Sequence, residues 1–184
     1  GELQWMTAGR GIVHSEMPLQ KDGLMKGFQL WVNLPSNEKM QPPRYKDIKA
    51  SDIISIEEGS TRIKLIAGNY KEYQGPIKGL TTELDYFDVS ISEDPFSFIG
   101  DEKKNYFLYP FEGEIEVDDE KLSSRNGICF SGSTKITTKH QSRFLLIGGK
   151  PLCEPIFQYG PFVMNTKKEI LQAIEDFQSG SFSK

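Results

Sequence analysis

Between residues 53 and 147 the chain is divided into short apolar-rich pieces, none long enough for a helix. They are Ile53–Ile56, Arg62–Ala67, Phe87–Ser92, Tyr106–Tyr109, Glu114–Val117, Gly127–Phe130, Lys135–Thr138 and Arg143–Ile147. Turn chemistry separates them, as in Glu112-Gly113-Glu114 and, by the same reading, Gly148-Gly149. In the third piece Phe87, Val89 and Ile91 alternate with Asp88, Ser90 and Ser92, so one face is buried and the other wet. Many short strands with turns between them leave a β-sandwich or a β-barrel as the economical solution. The fold class is therefore mainly β.

Outside this stretch the pattern changes. Residues 27–34 alternate again, with Phe28, Leu30, Val32 and Leu34 on one face, and predict a half-buried strand ended by Pro35. The charged, proline-bearing run from Glu38 to Asp47 reads as an exposed connection and a domain boundary. Near the other end, Thr166-Lys167-Lys168-Glu169 has the form of a capping box. Ile170, Ile174 and Phe177 follow at helical spacing, Leu171 and Ala173 widen the stripe, and Gly180 is placed to end it. This predicts a helix over 166–178, docked by its apolar face on a β domain. Gly1-Glu2-Leu3-Gln4-Trp5 reads as the middle of a strand and turn, so an upstream segment is expected.

Charge narrows the partners. Lys and Arg number 22 against 26 Asp and Glu, a formal net charge of −4. That offers no attraction to DNA, RNA or anionic lipid, and any nucleic-acid role is indirect. Twelve Phe and seven Tyr supply bulky core candidates. No apolar run reaches the ~18 residues of a membrane helix. Cys129 and Cys153 have no metal or disulfide-framework spacing and read as buried free thiols. A reducing, cytoplasmic setting fits, or a nuclear one in a eukaryote.

His14 and Glu16 form the one suggestive pair. Two residues apart on a strand, they share a face and can give a metal two ligands. With two further histidines they would make a shell suited to non-haem Fe(II) or Mn(II). Spacing alone favours the plainer alternative, a solvated or hydrogen-bonded strand pair. The other histidine, His140, lies in a polar run and reads as a solvated loop residue, and a chain with two histidines cannot complete a three-histidine site by itself. Gly9-Arg10-Gly11 is turn-like and lacks the third glycine of a dinucleotide loop. Neither G-x-S-x-G nor a P-loop is present.

Residues 4–18, Gln-Trp-Met-Thr-Ala-Gly-Arg-Gly-Ile-Val-His-Ser-Glu-Met-Pro, resemble the signature segment of the pirin family. The likeness continues through Gly27–Pro35 and Met40–Ile48 with Pro43-Arg44-Tyr45. It resumes over Leu145–Thr166, in Gly148-Gly149-Lys150-Pro151-Leu152, Glu154-Pro155-Ile156 and Gln158–Thr166. Residues 50–140 are only loosely similar. The resemblance implies tandem cupin (β-sandwich or jelly-roll) domains: residues 1–47 as the remainder of an N-terminal metal-binding domain that is incomplete, and 48–184 as a C-terminal cupin domain with its terminal α-helix. It further implies iron held in the N-terminal domain by three histidines and a glutamate, with His14 and Glu16 on the last two positions. The first two come from a His-x-His segment that this sequence does not contain.

Two functions follow from that resemblance. One is a quercetin 2,3-dioxygenase, in which the metal admits a flavonol and O2; Trp5 and Met6 would then help line an apolar pocket. The other is an iron- and redox-responsive transcriptional co-regulator that binds transcription factors. A third reading takes the chain as an inactive remnant lacking half of the metal site, with its own upstream segment as a partner.

Overall fold

The computed structural model describes residues 2–17 and 22–181; Gly1, the Pro18 of the signature segment, residues 19–21 and residues 182–184 lie outside them. The chain divides into two compact units that are not contiguous in sequence. One is Gly1–Trp5 with Asp47–Leu152, and the other is Met6–Lys46 with Cys153–Lys184. Two strands, β1 (Leu3–Thr7) and β2 (Arg44–Ile48), form a small sheet.

The first unit is a β-sandwich. Its strands are β3 (Ile54–Glu58), β4 (Thr61–Ala67), β5 (Asn69–Tyr70), β6 (Tyr73–Gln74), β7 (Asp85–Ile91), β8 (Phe96–Phe98), β9 (Asn105–Glu112), β10 (Glu114–Val117), β11 (Glu120–Ser123), β12 (Ile128–Ser131), β13 (Thr134–Thr137) and β14 (Ser142–Gly149). One antiparallel sheet has the order β12-β9-β14-β7-β4-β3 and the other β11-β10-β13-β8, while β5 and β6 form a short hairpin. The alternation read from the sequence sets the inner faces: Phe87, Val89 and Ile91 are buried, while Asp88 and Ser90 between them are only half-buried. They meet Ile63, Leu65, Leu108, Phe144 and Leu146 from the same sheet, and Phe96, Phe98, Ile115, Val117 and Ile136 from the other. Aromatic edges lock the layers, with Phe98 against Tyr106 at 5.0 Å between ring centroids and against Phe87 at 6.1 Å.

Each of the eight sequence-read pieces is a strand here, with ends that move by a residue or a few. Phe96–Phe98 and Glu120–Ser123 are additional. The Gly148-Gly149 pair is not a turn: it lies within β14, where Gly148 pairs with both Asp85 and Tyr106. A Cβ at Gly148 would stand 2.2 Å from the Tyr106 ring, so glycine is there for close approach and not for chain reversal. The cysteines are free but exposed, not buried. On β12 the inward positions are taken by Ile128 and Phe130, which pack on the core, so alternation turns Cys129 outward.

The second unit has little sheet. It contains β15 (Phe157–Tyr159), β16 (Phe162–Met164) and α1 (Lys167–Gln178). Thr166 caps the helix by accepting from Glu169 N at 3.3 Å. Its hydroxyl donates to Glu169 Oε2 at 2.8 Å, and the same carboxylate oxygen accepts the Asn165 backbone N–H at 3.2 Å. At the other end Ser181 N reaches Asp176 O and Gly180 N reaches Phe177 O, the paired bonds of a Schellman ending. The helix rests on the β15–β16 hairpin, with Ile170 buried and Phe177 edge-on to Phe162 at 6.2 Å between ring centroids.

Two expectations change in this unit. Residues 27–34 are not a strand, and Phe28 and Trp31 are exposed. An alternating segment becomes a strand only where a neighbouring strand forms a ladder with it, and no sheet of the described residues includes 27–34. The Glu38–Asp47 connection is not wholly exposed, since Lys39 is buried, and it is not wholly irregular, since it contains most of β2. No helix of the described residues is long and apolar enough to cross a membrane.

Candidate metal site

The segment carrying His14 and Glu16 is pinned just ahead of the pair. Gly9 adopts φ +54°, and a Cβ there would lie 2.1 Å from the Gln41 carbonyl oxygen. Arg10 N donates to that same oxygen at 2.9 Å, and Gly11 N closes the turn on Ala8 O at 3.0 Å. From residue 11 to Met17 the chain has no regular secondary structure and joins no sheet, which differs from the strand expected of it.

The pair still comes together without a sheet. His14 Nδ1 and Glu16 Oε1 stand 3.9 Å apart, with both side chains well exposed. Gln29 Nε2 donates to the same Glu16 oxygen at 3.5 Å. Sequence reading missed this third member, although a glutamine between Phe28 and Leu30 on the polar side of an alternating segment is its visible signal. His140 is exposed in the first unit, where its backbone carbonyl accepts from the hydroxyls of Thr138 (2.6 Å) and Ser142 (3.1 Å). Trp5 and Met6 are half-buried on β1. No group of three or more His, Cys, Asp or Glu side chains is arranged to hold a metal among the described residues.

Downstream of Gln29 a hydrogen-bonded clasp fixes the second unit. Glu154 accepts the Ser36 backbone N–H at 2.8 Å, the Ser36 hydroxyl at 3.0 Å and the Asn165 amide at 2.9 Å. The Ser36 N–H is the main reason the Glu154 carboxyl is held below its ordinary range, with burial pulling the other way. Lys39 donates to Asn33 Oδ1 at 2.6 Å and to the Val163 carbonyl at 3.3 Å. Burial pushes its ammonium below the usual lysine range, against the pull of Glu154 and Glu169. Glu154 and Asn165 stand out in sequence only as parts of a longer motif; their meeting with Ser36 needs the fold.

Comparison with known proteins assigns the family. Residues 86–183 match the pirin C-terminal cupin domain and residues 1–32 match the pirin domain. The chain belongs to the pirin family. A pirin-like protein of Caulobacter vibrioides is 40% identical over 99% of this chain and 68% of its own length. A pirin-like protein of tomato, Solanum lycopersicum, is 41% identical over 98% of this chain and 64% of its own. Among solved structures, a quercetin 2,3-dioxygenase from Acinetobacter baumannii superposes with a TM-score of 0.83 at 29% identity, covering all of this chain and 67% of that one. The pirin chain described here thus spans about two thirds of the length of these relatives.

Proposed function

We propose that this protein is an iron-binding pirin whose metal centre is built on His14 and Glu16, and that it acts as a quercetin 2,3-dioxygenase-type oxygenase. The observation that carries the proposal is the convergence, 3.9 Å apart, of an imidazole nitrogen and a carboxylate oxygen from residues two positions apart. Two coordinate bonds of about 2.1 Å reach across as much as ~4.2 Å, so one ion can join both donors. The donor types fit non-haem Fe(II) or another divalent metal. Gln29 holds the carboxylate from the side and orients it. Bound iron would supply Lewis acidity and bring a flavonol and O2 into one orientation. The described residues contribute two of the four donors that a three-histidine, one-glutamate shell needs, so the remaining two come from elsewhere, and the upstream segment is the proposed partner.

The test is iron content and aerobic quercetin turnover of the full-length protein. Glu16→Gln is expected to lower both by at least about tenfold, and Gln29→Ala to lower iron retention less. An iron-loaded full-length protein that leaves quercetin unchanged overturns the oxygenase reading.

A second reading, an iron- and redox-responsive transcriptional co-regulator acting through protein partners, is favoured by one feature. The unit that carries His14 exposes Val13, Met17, Leu24, Met25 and Trp31. Apolar exposure of this kind suits a protein partner, and the net charge of −4 does not suit DNA. Partner capture that changes between the Fe(II) and Fe(III) forms supports this reading; capture indifferent to oxidation state counts against it. Exposed free thiols at Cys129 and Cys153 suit a reducing, cytoplasmic or nuclear setting in either case.

A further inference from the structure

The first unit contains a cavity of its own, remote in sequence from His14 and Glu16. It has a volume of about 290 Å³ and opens between the β5 turn and the end of β8. Its polar floor is Asp85, Lys104 and Tyr106, and its rim includes Asn69, Tyr70, Ser97 and the charged residues Lys71 and Asp101.

The floor is an ion pair almost closed off from water. Lys104 Nζ donates to Asp85 Oδ2 at 2.7 Å, with side-chain exposures of 11% and 9%. The Tyr106 hydroxyl donates to the same oxygen at 3.3 Å and accepts the Asp101 N–H at 2.9 Å, so it is committed. Burial drives the Asp85 carboxyl above its ordinary range, opposed first by the Lys104 hydrogen bond. An ammonium has three donors, and Lys104 finds one side-chain acceptor here. Donors left without acceptors in a desolvated place are costly, and an oxygen ligand in the cavity relieves that cost.

We propose that this cavity binds a small aromatic carboxylate, whose oxygens take the unused donors of Lys104 while its ring lies among Tyr70, Phe98 and Tyr106. A carboxylate is favoured over a neutral oxygen because the hydrogen bonds to Lys104 are then charge-assisted on both sides. The aromatic part follows from the walls: Phe98 and Tyr106 are buried with edges in contact, and the half-buried Tyr70, whose ring meets Phe87 and Phe96, lines the same cavity. The site is independent of the metal centre proposed above.

The experiment is a titration of the 15N-labelled full chain with 4-hydroxybenzoate, followed by amide shifts. Saturable shifts are expected at Asn69–Lys71 and Ser97–Asp101. The methyl ester, which lacks the carboxylate, should bind at least ~tenfold more weakly, as loss of a charged hydrogen bond implies. Lys104→Met should abolish binding. Because that variant leaves Asp85 unpaired and risks unfolding, Ser97→Trp serves beside it: the residue is exposed, and the indole blocks the rim without touching the ion pair. No saturable shift at these positions overturns the proposal, as does equal binding of acid and ester, or undiminished binding by a folded Ser97→Trp protein.

Discussion

Phe87-Asp88-Val89-Ser90-Ile91 and Phe28-Gln29-Leu30-Trp31-Val32 carry nearly the same alternation, yet only the first is a strand. Phe87 is 1% exposed, whereas Phe28 is 49% exposed. The difference lies in their neighbours. β7 sits between β4 and β14, which take its backbone groups on both sides and bring a second sheet over its apolar face. Residues 27–34 have no such ladder among the described residues. Alternation states which face would be buried; pairing decides whether burial happens.

The contrast can be broken at its strongest point. Phe144→Ala, at a fully buried position of the sandwich, should cost about 3–5 kcal/mol in urea unfolding. Phe28→Ala should stay within about 0.5 kcal/mol. Comparable losses for the two would show that the second unit buries its alternating segment in solution.

Glycine substitutions sharpen the same comparison on a smaller scale. Gly148→Ala drives a methyl into the Tyr106 ring and is expected to cost about 1–3 kcal/mol. At Gly27 nothing lies within 4 Å of a new Cβ, and Gly27→Ala should be close to neutral in the same melt. A neutral Gly148→Ala would mean that Tyr106 can swing away, and with it the floor of the cavity.

Smaller again is the helix cap. Thr166→Ala removes the bond to Glu169 N and should destabilise the second unit by about 1 kcal/mol, read as faster amide exchange in Lys167–Ile170. Amides of β7 and β14 should not respond; if they do, the two units unfold as one.

The mildest expected effect is a pH step at Glu154. Its carboxyl is depressed in the folded state, so its contribution is present above the ordinary value of 4.5 and is lost as the pH falls through the lower folded value. Protection of the Ser36 N–H should decline over that acid range, and Glu154→Gln should remove the step. A step that survives the substitution would assign it to another carboxylate.

Much of the sandwich was legible because each of its strands states its own face locally. Glu114–Val117 emerges with the bounds read from its sequence, and the capped helix begins one residue after Thr166 as its hydroxyl and Glu169 require. Phe96–Phe98 was not legible: Ser97 and the flanking Pro95 give too short an alternation to stand apart from a loop, and only pairing with β13 makes it a strand. At the candidate metal site the order was reversed. His14 and Glu16 were visible from their spacing, since any extended backbone puts residues i and i+2 on one side. Gln29 was not, because its approach to Glu16 spans 13 positions.

The sequence by itself determined the mainly β character, the inner and outer faces of the long strands, the helix ends and the His14–Glu16 pair. These depend on residues a few positions apart, where backbone geometry alone fixes the relation. Only the tertiary structure decided that Gly148 serves a ring and not a turn, that Cys129 faces outward, that Glu154 ties Ser36 to Asn165, and that Asp85 meets Lys104 at the floor of a cavity. Each of those contacts depends on which strand lies beside which, a relation set by the packing of the whole unit.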